Sequence, residues 1–267
     1  MSMPEKIAVF GDVHGNIDAL ETVLEDCRGQ GVDAYLCTGD VVGYGARPRE
    51  CIAKVRELGC PVVKGNHDHY AASSAGNTDD FNPAAALAMK WTRDALDDDD
   101  IAWLDALPFT AVKTGIALVH STMDKPGEFG YVFDNKQAEA NFAQQVAPLC
   151  FHGHTHCPII FERHASGVFR IDPQELEDSR FKLAPGRKYF INVGSVGQPR
   201  DGDRRATYAI YSPKEKTVRY RRLEYDIEAA QAKILEAGLP PRLAERLAFG
   251  RYKGGADSTP VGTEVSE

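Results

Sequence analysis

Five short apolar runs in this chain each lead into a side chain able to bind a metal ion. Ile7–Phe10 runs into Gly11-Asp12-Val13-His14, Ala34–Cys37 into Thr38-Gly39-Asp40, and Pro61–Val63 into Lys64-Gly65-Asn66-His67-Asp68. Ile116–Val119 stops at His120, and Leu149–Phe151 leads through His152 to Gly153-His154-Thr155-His156. An unbroken apolar run of this length reads as a strand buried on both faces, the pattern of a parallel sheet. Between the first three runs, Leu20, Val23 and Leu24 recur at helical spacing within Ile17–Cys27, and a second helix is predicted from Pro48 to Leu58. Strands alternating with helices imply βαβ units. In open α/β sheets, ligands bind at the C-terminal ends of the strands, where these five runs deliver their polar groups.

Beyond residue 70 the pattern changes. Residues 71–82 read as a loop, and Pro83 opens a helix to about Leu96. The Asp97–Asp100 run could be a cation cluster, but a negatively charged first helical turn, favoured by the helix dipole, is the simpler reading. Strands are predicted at Phe109–Val112, Ile116–Val119, Leu149–Phe151, Ile159–Phe161, Val168–Ile171, Tyr189–Val193, Ala206–Tyr211 and Thr217–Leu223. Their short links favour hairpins and a second, more antiparallel sheet. A helical segment at 226–248, broken at Pro240-Pro241, completes one domain over residues 1–248 with a core at 6–222. The small, polar stretch 249–267 reads as a flexible tail.

The donors collected at the strand ends are two carboxylates, one carboxamide and four imidazoles. Asp12 and His14 stand two apart, which in an extended backbone would place both on one face, and His154 and His156 repeat the spacing. Seven such groups exceed one tetrahedral ion and suit two metals sharing a bridging group; the oxygen and imidazole mixture favours manganese, iron or zinc over calcium. Tyr44, Gln198 and Arg200 lie on nearby loops and could reach a substrate; Tyr44 could stack on a base or pack on the fold. His69 could line the mouth, His152 reads as core or support, His164 as surface, and Cys157 as buried packing.

Composition narrows the partners. The formal net charge of −8 over 267 residues opposes binding to long nucleic acids or an anionic membrane. No run approaches the roughly 18 apolar residues of a membrane span, and no signal-peptide pattern precedes Ile7. The six cysteines contain no CxxC pair, so reduced thiols and a cytoplasmic location are expected.

With these blocks on the page, the sequence resembles the calcineurin-like metallophosphoesterases. Asp12-x-His14, Gly39-Asp40, Gly65-Asn66-His67-Asp68, His120 and Gly153-His154-x-His156 match that family's five motifs in order. Gly-Asp-Val-His-Gly-Asn at 11–16, Val-Gly-Tyr-Gly at 42–45 and Asn-Val-Gly-Ser-Val-Gly-Gln-Pro-Arg at 192–200 are similar to small bacterial phosphodiesterases and diadenosine-tetraphosphatase-like proteins. The resemblance implies an α/β fold, a four-layer α/β/β/α sandwich of two mixed β-sheets flanked by helices. It implies that Asp12, His14 and His156 hold one metal, that Asn66, His120 and His154 hold a second, and that Asp40 bridges them. It places His67 near the leaving oxygen rather than among the ligands. The ions implied are divalent or mixed-valence, manganese or iron, with zinc and nickel as alternatives.

The chemistry explains the residue choice. Hydrolysing an anionic phosphate ester needs charge neutralisation and a strong nucleophile at neutral pH, and a pair of divalent ions with a bridging hydroxide supplies both. His67 is expected to act as general acid towards the leaving group, with Asp68 orienting it. The expected activity is hydrolysis of a small phosphodiester or of a nucleotide pyrophosphate linkage of the diadenosine-polyphosphate type. A phosphomonoesterase of the Ser/Thr type on the same fold is the alternative. A scaffold that has lost catalysis would show broken ligand positions, and none is broken.

Overall fold

The computed structural model describes residues 4–73 and 82–251. Most of the loop expected at 71–82 and most of the tail expected at 249–267 lie outside the described residues. The elements in chain order are β1 (Ile7–Phe10), α1 (Ile17–Gly29), β2 (Ala34–Cys37), α2 (Pro48–Glu57), α3 (Asn66–Ala72), α4 (Pro83–Ala95) and α5 (Asp98–Asp105). Then follow β3 (Thr110–Lys113), β4 (Ile116–Val119), α6 (Asn135–Gln144), β5 (Leu149–His152), β6 (Ile159–His164), β7 (Gly167–Ile171) and β8 (Arg180–Lys182). The remaining elements are β9 (Lys188–Asn192), β10 (Ala206–Ser212), β11 (Thr217–Leu223), α7 (Ile227–Glu236) and α8 (Pro241–Glu245).

Two mixed sheets result, ordered β2-β1-β10-β11-β8 and β3-β4-β5-β9-β6-β7. Side-chain alternation along the strands explains why they stack. Ile7 and Val9 of β1 pack against Leu118, Phe151 and Ile191 of the other sheet in one apolar cluster. Ala8 and Phe10, pointing the other way, pack with Leu20, Val23 and Ile52 of the helices. The second sheet repeats this, with Ala117, Val119 and Phe190 turned towards Ala138 and Phe142 of α6. Each central strand is therefore buried on both faces, and the order of layers is helix, sheet, sheet, helix, as the resemblance implied.

Three local expectations change. The Pro61–Val63 run makes a single parallel bridge, Cys37 to Val62, and enters α3 at Asn66 instead of extending a ladder. Pro61 lacks an N–H for such a ladder. The strands β10 and β11 were expected in the second sheet, yet β10 pairs antiparallel with β1, Ala8 opposite Ile210, and extends the first. Parallel pairing instead sits at the centre of the second sheet, where β4, β5 and β9 run side by side. Helix α6 was not read from the sequence, because its apolar positions are few; a capping box between Asp134 and Gln137 starts it.

The Asp97–Asp100 run behaves as expected for a helix start. Asp97 caps α5 by accepting from the Asp100 amide at 2.9 Å, and Arg49 and Arg56 of α2 pair with Asp97, Asp99 and Asp100. No helix among the described residues is long and apolar enough to cross a membrane.

Candidate metal centre

Five chain segments converge where β1, β2, β4 and β5 end. The loop after β1 brings Asp12 and His14, that after β2 brings Asp40, and the start of α3 brings Asn66 and His67. His120 follows β4, and His154 and His156 follow β5. The expected extended backbone at the paired ligands is not found. Asp12, His14, Asp40, His154 and His156 all adopt left-handed φ values, from 49° to 70°. Such conformations cost on the order of 1–3 kcal/mol each for residues other than glycine and persist where surrounding bonds enforce them. Here the loops are zipped together: the amides of Asp12, His14 and Gly15 donate to the carbonyls of Gly39, Asp40 and Val41 at 2.9–3.0 Å.

The geometry brings Asp12, His14, Asp40 and His156 within one potential ligand group, and Asp40, His120 and His154 within another. Asp40 Oδ2 lies 3.6 Å from His14 Nε2 and 3.4 Å from His120 Nε2. His156 Nε2 is 3.3 Å from Asp12 Oδ1. Asn66 Oδ1 lies 3.2 Å from His120 Nε2, and His154 Nδ1 lies 3.1 Å from the same atom. All six charged or imidazole groups are buried.

Tautomer chemistry tests whether these residues fit cations. The Nδ1 atoms of His14, His120 and His156 face the carbonyls of Val42, Thr38 and Gln198 at 3.1, 2.8 and 2.5 Å. A carbonyl only accepts, so each Nδ1 carries the proton and the neutral ring turns a lone pair inwards from Nε2. His14 and His156 thus aim two lone pairs at each other across 3.0 Å. Around His120 Nε2, the carboxylate of Asp40, the Asn66 oxygen and His154 Nδ1 crowd the same point. Opposed lone pairs in a dry site call for a positive ion between them, and the residues fit divalent cations.

The electrostatics agree at three of the four rings. Burial raises the Asp12 carboxyl to about 7, and burial holds His14, His154 and His156 well below the usual imidazole range. His120 moves the opposite way: burial works against it, but the adjacent Asp40 raises it to about 9. Burial lowers His67 to about 4. Three of the four rings are thus neutral, the state in which imidazoles ligate metals, and a cation beside Asp40 would displace the proton that Asp40 favours on His120.

Asp68 does not orient His67 as expected. Its Oδ2 accepts the amides of Asp40 (2.7 Å) and Gly65 (3.0 Å), and its Oδ1 those of Val41 (2.9 Å) and Val42 (3.3 Å). Asp68 therefore fixes the loop that presents Asp40. His67 belongs to helix α3, where its amide donates to Asp40 Oδ1 at 2.8 Å, and its ring packs against Tyr44 and His14 at 4.4 and 4.8 Å. Gly43 makes room for that ring, since a Cβ there would sit 2.3 Å from His67 Nδ1.

The three substrate-side candidates fare differently. Gln198 is buried, and its carbonyl braces His156, so it acts on the cluster through its backbone. Tyr44 is only 7% exposed and lies between His14, His67 and the Arg246 guanidinium, which leaves no open face for a base. Arg200 keeps partial exposure, and its charge bears on Asp12, His14, His67, His154 and His156 together, so it borders the cluster. His152 is core, stacked on Phe190 at 4.0 Å; His164 stacks on Phe169 at the surface; His69 joins Tyr70, Phe109 and Phe129 in an aromatic group. Cys157 is protonated, its thiol raised by burial to about 11.

Sequence reasoning missed three contributors. Asn192 donates to the Gly153 carbonyl at 2.6 Å and to Thr155 Oγ1 at 3.0 Å, holding the loop of His154 and His156. Tyr131 places its ring 4.2 Å from that of His154. Arg246 reaches Tyr44 from the C-terminal segment. Only Asn192 left a signal, as the first residue of the string at 192–200.

Two mixed sheets between helices, with paired His/Asp clusters at the strand ends, define a metal-dependent phosphoester hydrolase. The chain belongs to the calcineurin-like phosphoesterase superfamily, whose domain model matches residues 6–216. It is similar to a metallophosphoesterase from Sphaerobacter thermophilus, with 39% identity and a TM-score of 0.83 over 93% of this chain and all of that one. The uncharacterized protein MJ0912 of Methanocaldococcus jannaschii is 36% identical over 250 residues, 92% of this chain and 98% of that one. A symmetrical bis(5'-nucleosyl)-tetraphosphatase from Psychromonas ingrahamii is 34% identical over 104 residues, 38% of this chain and 37% of its own.

Proposed function

We propose that the chain hydrolyses a phosphodiester or nucleotide pyrophosphate linkage at a centre of two divalent cations, manganese or iron. Asp12, His14 and His156 would hold the first ion, Asn66, His120 and His154 the second, and Asp40 would span both. The observation that carries this reading is Asp40 Oδ2, which stands within 3.6 Å of an inward-facing nitrogen from each half. When bound, such ions supply Lewis acidity and a water acidified enough to attack phosphorus near neutral pH.

The chain's own residues do the rest. The carbonyls of Val42, Thr38 and Gln198 fix the rings of His14, His120 and His156 in the tautomer that ligates. Asp68 holds the 40–42 backbone so that Asp40 keeps one oxygen on the His67 amide and the other on the cluster. His67, kept neutral by burial, offers the leaving oxygen a hydrogen bond rather than a standing positive charge. Arg200 would neutralise phosphate oxygens, bidentately where the pose allows. A small nucleotide substrate accords with the tetraphosphatase name of the Psychromonas relative.

The test uses purified protein loaded with Mn²⁺. Turnover of bis(p-nitrophenyl) phosphate faster than of p-nitrophenyl phosphate is expected. A faster rate on the monoester would favour the phosphomonoesterase alternative, and no turnover with any divalent metal would sink the reading.

A further inference from the structure

Every residue assigned to the first ion alone stands on left-handed backbone: Asp12, His14 and His156 have φ values of 49°, 50° and 58°. Of those assigned to the second ion alone, Asn66, His120 and His154, only His154 does, at 70°. Residues other than glycine hold such a conformation where neighbouring bonds impose it. The first half therefore depends more on its surroundings, and the loop that follows β9 supplies much of that support.

The loop is anchored at both ends. Asn192, the last residue of β9, is fully buried; its Oδ1 accepts the Gly194 amide at 2.9 Å while its Nδ2 donates to the Gly153 carbonyl and to Thr155 Oγ1. From β10, the Thr207 amide donates to the Ser195 carbonyl at 2.9 Å. Between these anchors the loop lies directly on the turn that carries Asp12 and His14. The amides of Val196 and Gly197 donate to the carbonyls of Gly11 and Asp12 at 3.1 and 2.9 Å, and the Asn16 carboxamide donates to the Gly197 carbonyl at 3.0 Å. Gly197 presses so closely on the Val13 carbonyl that a Cβ there would have no room.

Ser195 stands at the centre of this contact. Its buried hydroxyl donates to the Asp12 carbonyl at 2.9 Å and accepts the Gln198 amide, also at 2.9 Å. The Gln198 carbonyl in turn takes the Nδ1 proton of His156. One hydroxyl thus joins the backbone of one ligand to the residue that sets the tautomer of another, and its single proton is already committed to a carbonyl.

The two side chains differ in reach. Asn192 holds Gly153 and Thr155, which flank His154 and lead into His156, so it serves both halves. Ser195 bears on Asp12 and, through Gln198, on His156. Asp12 also touches the other half, where its carboxylate accepts the His154 amide at 3.1 Å, but that bond goes to the backbone and not to the ring.

We infer that Ser195 is a positioning residue for the first ion, and that Asn192 positions ligands of both. This rests on the two-ion reading above and goes beyond it, because residues outside the ligand set then govern the affinity of each half separately.

The experiment uses the full chain, freed of metal by dialysis against a chelator and titrated with Mn²⁺, with the free ion read by electron paramagnetic resonance. His120→Ala isolates the first half and His156→Ala the second. Ser195→Ala added to His120→Ala should weaken the remaining ion about 10–100-fold, as expected when a hydrogen bond supporting a metal ligand is lost. Added to His156→Ala, it should leave affinity unchanged. Asn192→Leu should weaken binding in both backgrounds, and Ser195→Cys, which keeps a weaker donor, should fall between wild type and Ser195→Ala. Melting curves establish that each variant is folded. An equal loss in the two backgrounds would overturn the inference, as would an unchanged first half after Ser195→Ala or an Asn192→Leu variant that spares either half. Wild type binding fewer than two ions would overturn the two-ion reading instead, a result seen before any variant is compared.

Discussion

The two halves of the metal centre are caged alike and flanked differently. Around Asp12, His14 and His156 the charges of Arg200 and Arg246 both bear on His156, although Arg200 also bears on His154 and Tyr44 packs on His14. Around Asn66, His120 and His154 the neighbours are aromatic. Tyr131 lies 4.2 Å from His154 and stacks on Phe133 with only 7° between the rings, and Phe129 faces His120 at 6.3 Å. Phe129 continues into His69 and Phe109, and Phe109 and Phe133 are each 37% exposed. His14 and His156 in one half and His120 in the other are held by the same device, an Nδ1 proton given to a backbone carbonyl, whereas His154 turns its own Nδ1 to the cluster. What differs is the chemistry each flank offers to whatever is attached to the phosphorus: charge on one side, π-faces on the other. A nucleotide carries a group for each.

Breaking the cage at its shared member should have the largest effect. Asp40→Asn is expected to empty both halves, because among the described residues its carboxylate is the only one shared by both groups, whereas His156→Ala or His120→Ala should each lose one ion. Atomic absorption on dialysed protein would read the ratio. The affinity loss should exceed the roughly 10–100-fold typical of disturbed supporting hydrogen bonds around metal ligands. His67→Ala is the contrast: both ions retained, with kcat lower by about 10²–10⁴-fold. If His67→Ala instead empties a half, its separation from the ligands fails.

Smaller in scale is the test of the aromatic flank. Tyr131→Ala should raise KM for substrates bearing a nucleobase by about 5–100-fold, the worth of one base stacked on an aromatic side chain. Affinity for inorganic phosphate should change far less, since that ligand carries no base to stack. An equal loss for both ligands would mean that Tyr131 acts by supporting His154, and the two flanks would then not divide the substrate.

Much of the cage was legible because its residues are local: each ligand stands within a few residues of a short apolar run, and glycines mark the departures. The flanks were not. Tyr131 follows a 3₁₀ turn in a stretch without periodicity, and Arg246 lies 90 residues beyond His156 in a segment that sequence pattern describes only as helical. Asp68 illustrates a finer limit. Adjacency to His67 suggested a side-chain partner, but at the third position of α3 its carboxylate turns back onto backbone amides, as in a capping box. The strands β10 and β11 were read in the right places and assigned to the wrong sheet, because hairpin spacing fixes who pairs locally and not which sheet the pair joins.

The smallest effect concerns how the cationic half is mounted. Its loop from Asp12 to His14 leads directly into α1, and α1 is tied to the first sheet through Asp26. That carboxylate accepts from Tyr208 at 2.6 Å and from two nitrogens of Arg221 at 2.6 and 2.9 Å. Burial works against the charge, yet these hydrogen bonds hold the Asp26 carboxyl below its usual range. A carboxyl lowered on folding stabilises above its unfolded value of about 3.9 and loses that contribution as pH falls through the folded value. Asp26→Asn should therefore lower stability by about 1.5–3 kcal/mol at neutral pH, read from urea midpoints, and the gap from wild type should narrow below about pH 4. Because Asp26 bonds to Tyr208 and Arg221 and not to any residue of the cluster, the ratio of diadenosine tetraphosphate to bis(p-nitrophenyl) phosphate rates should not move. A selective loss on one of the two substrates would show instead that α1 acts on the metal centre as well as on stability.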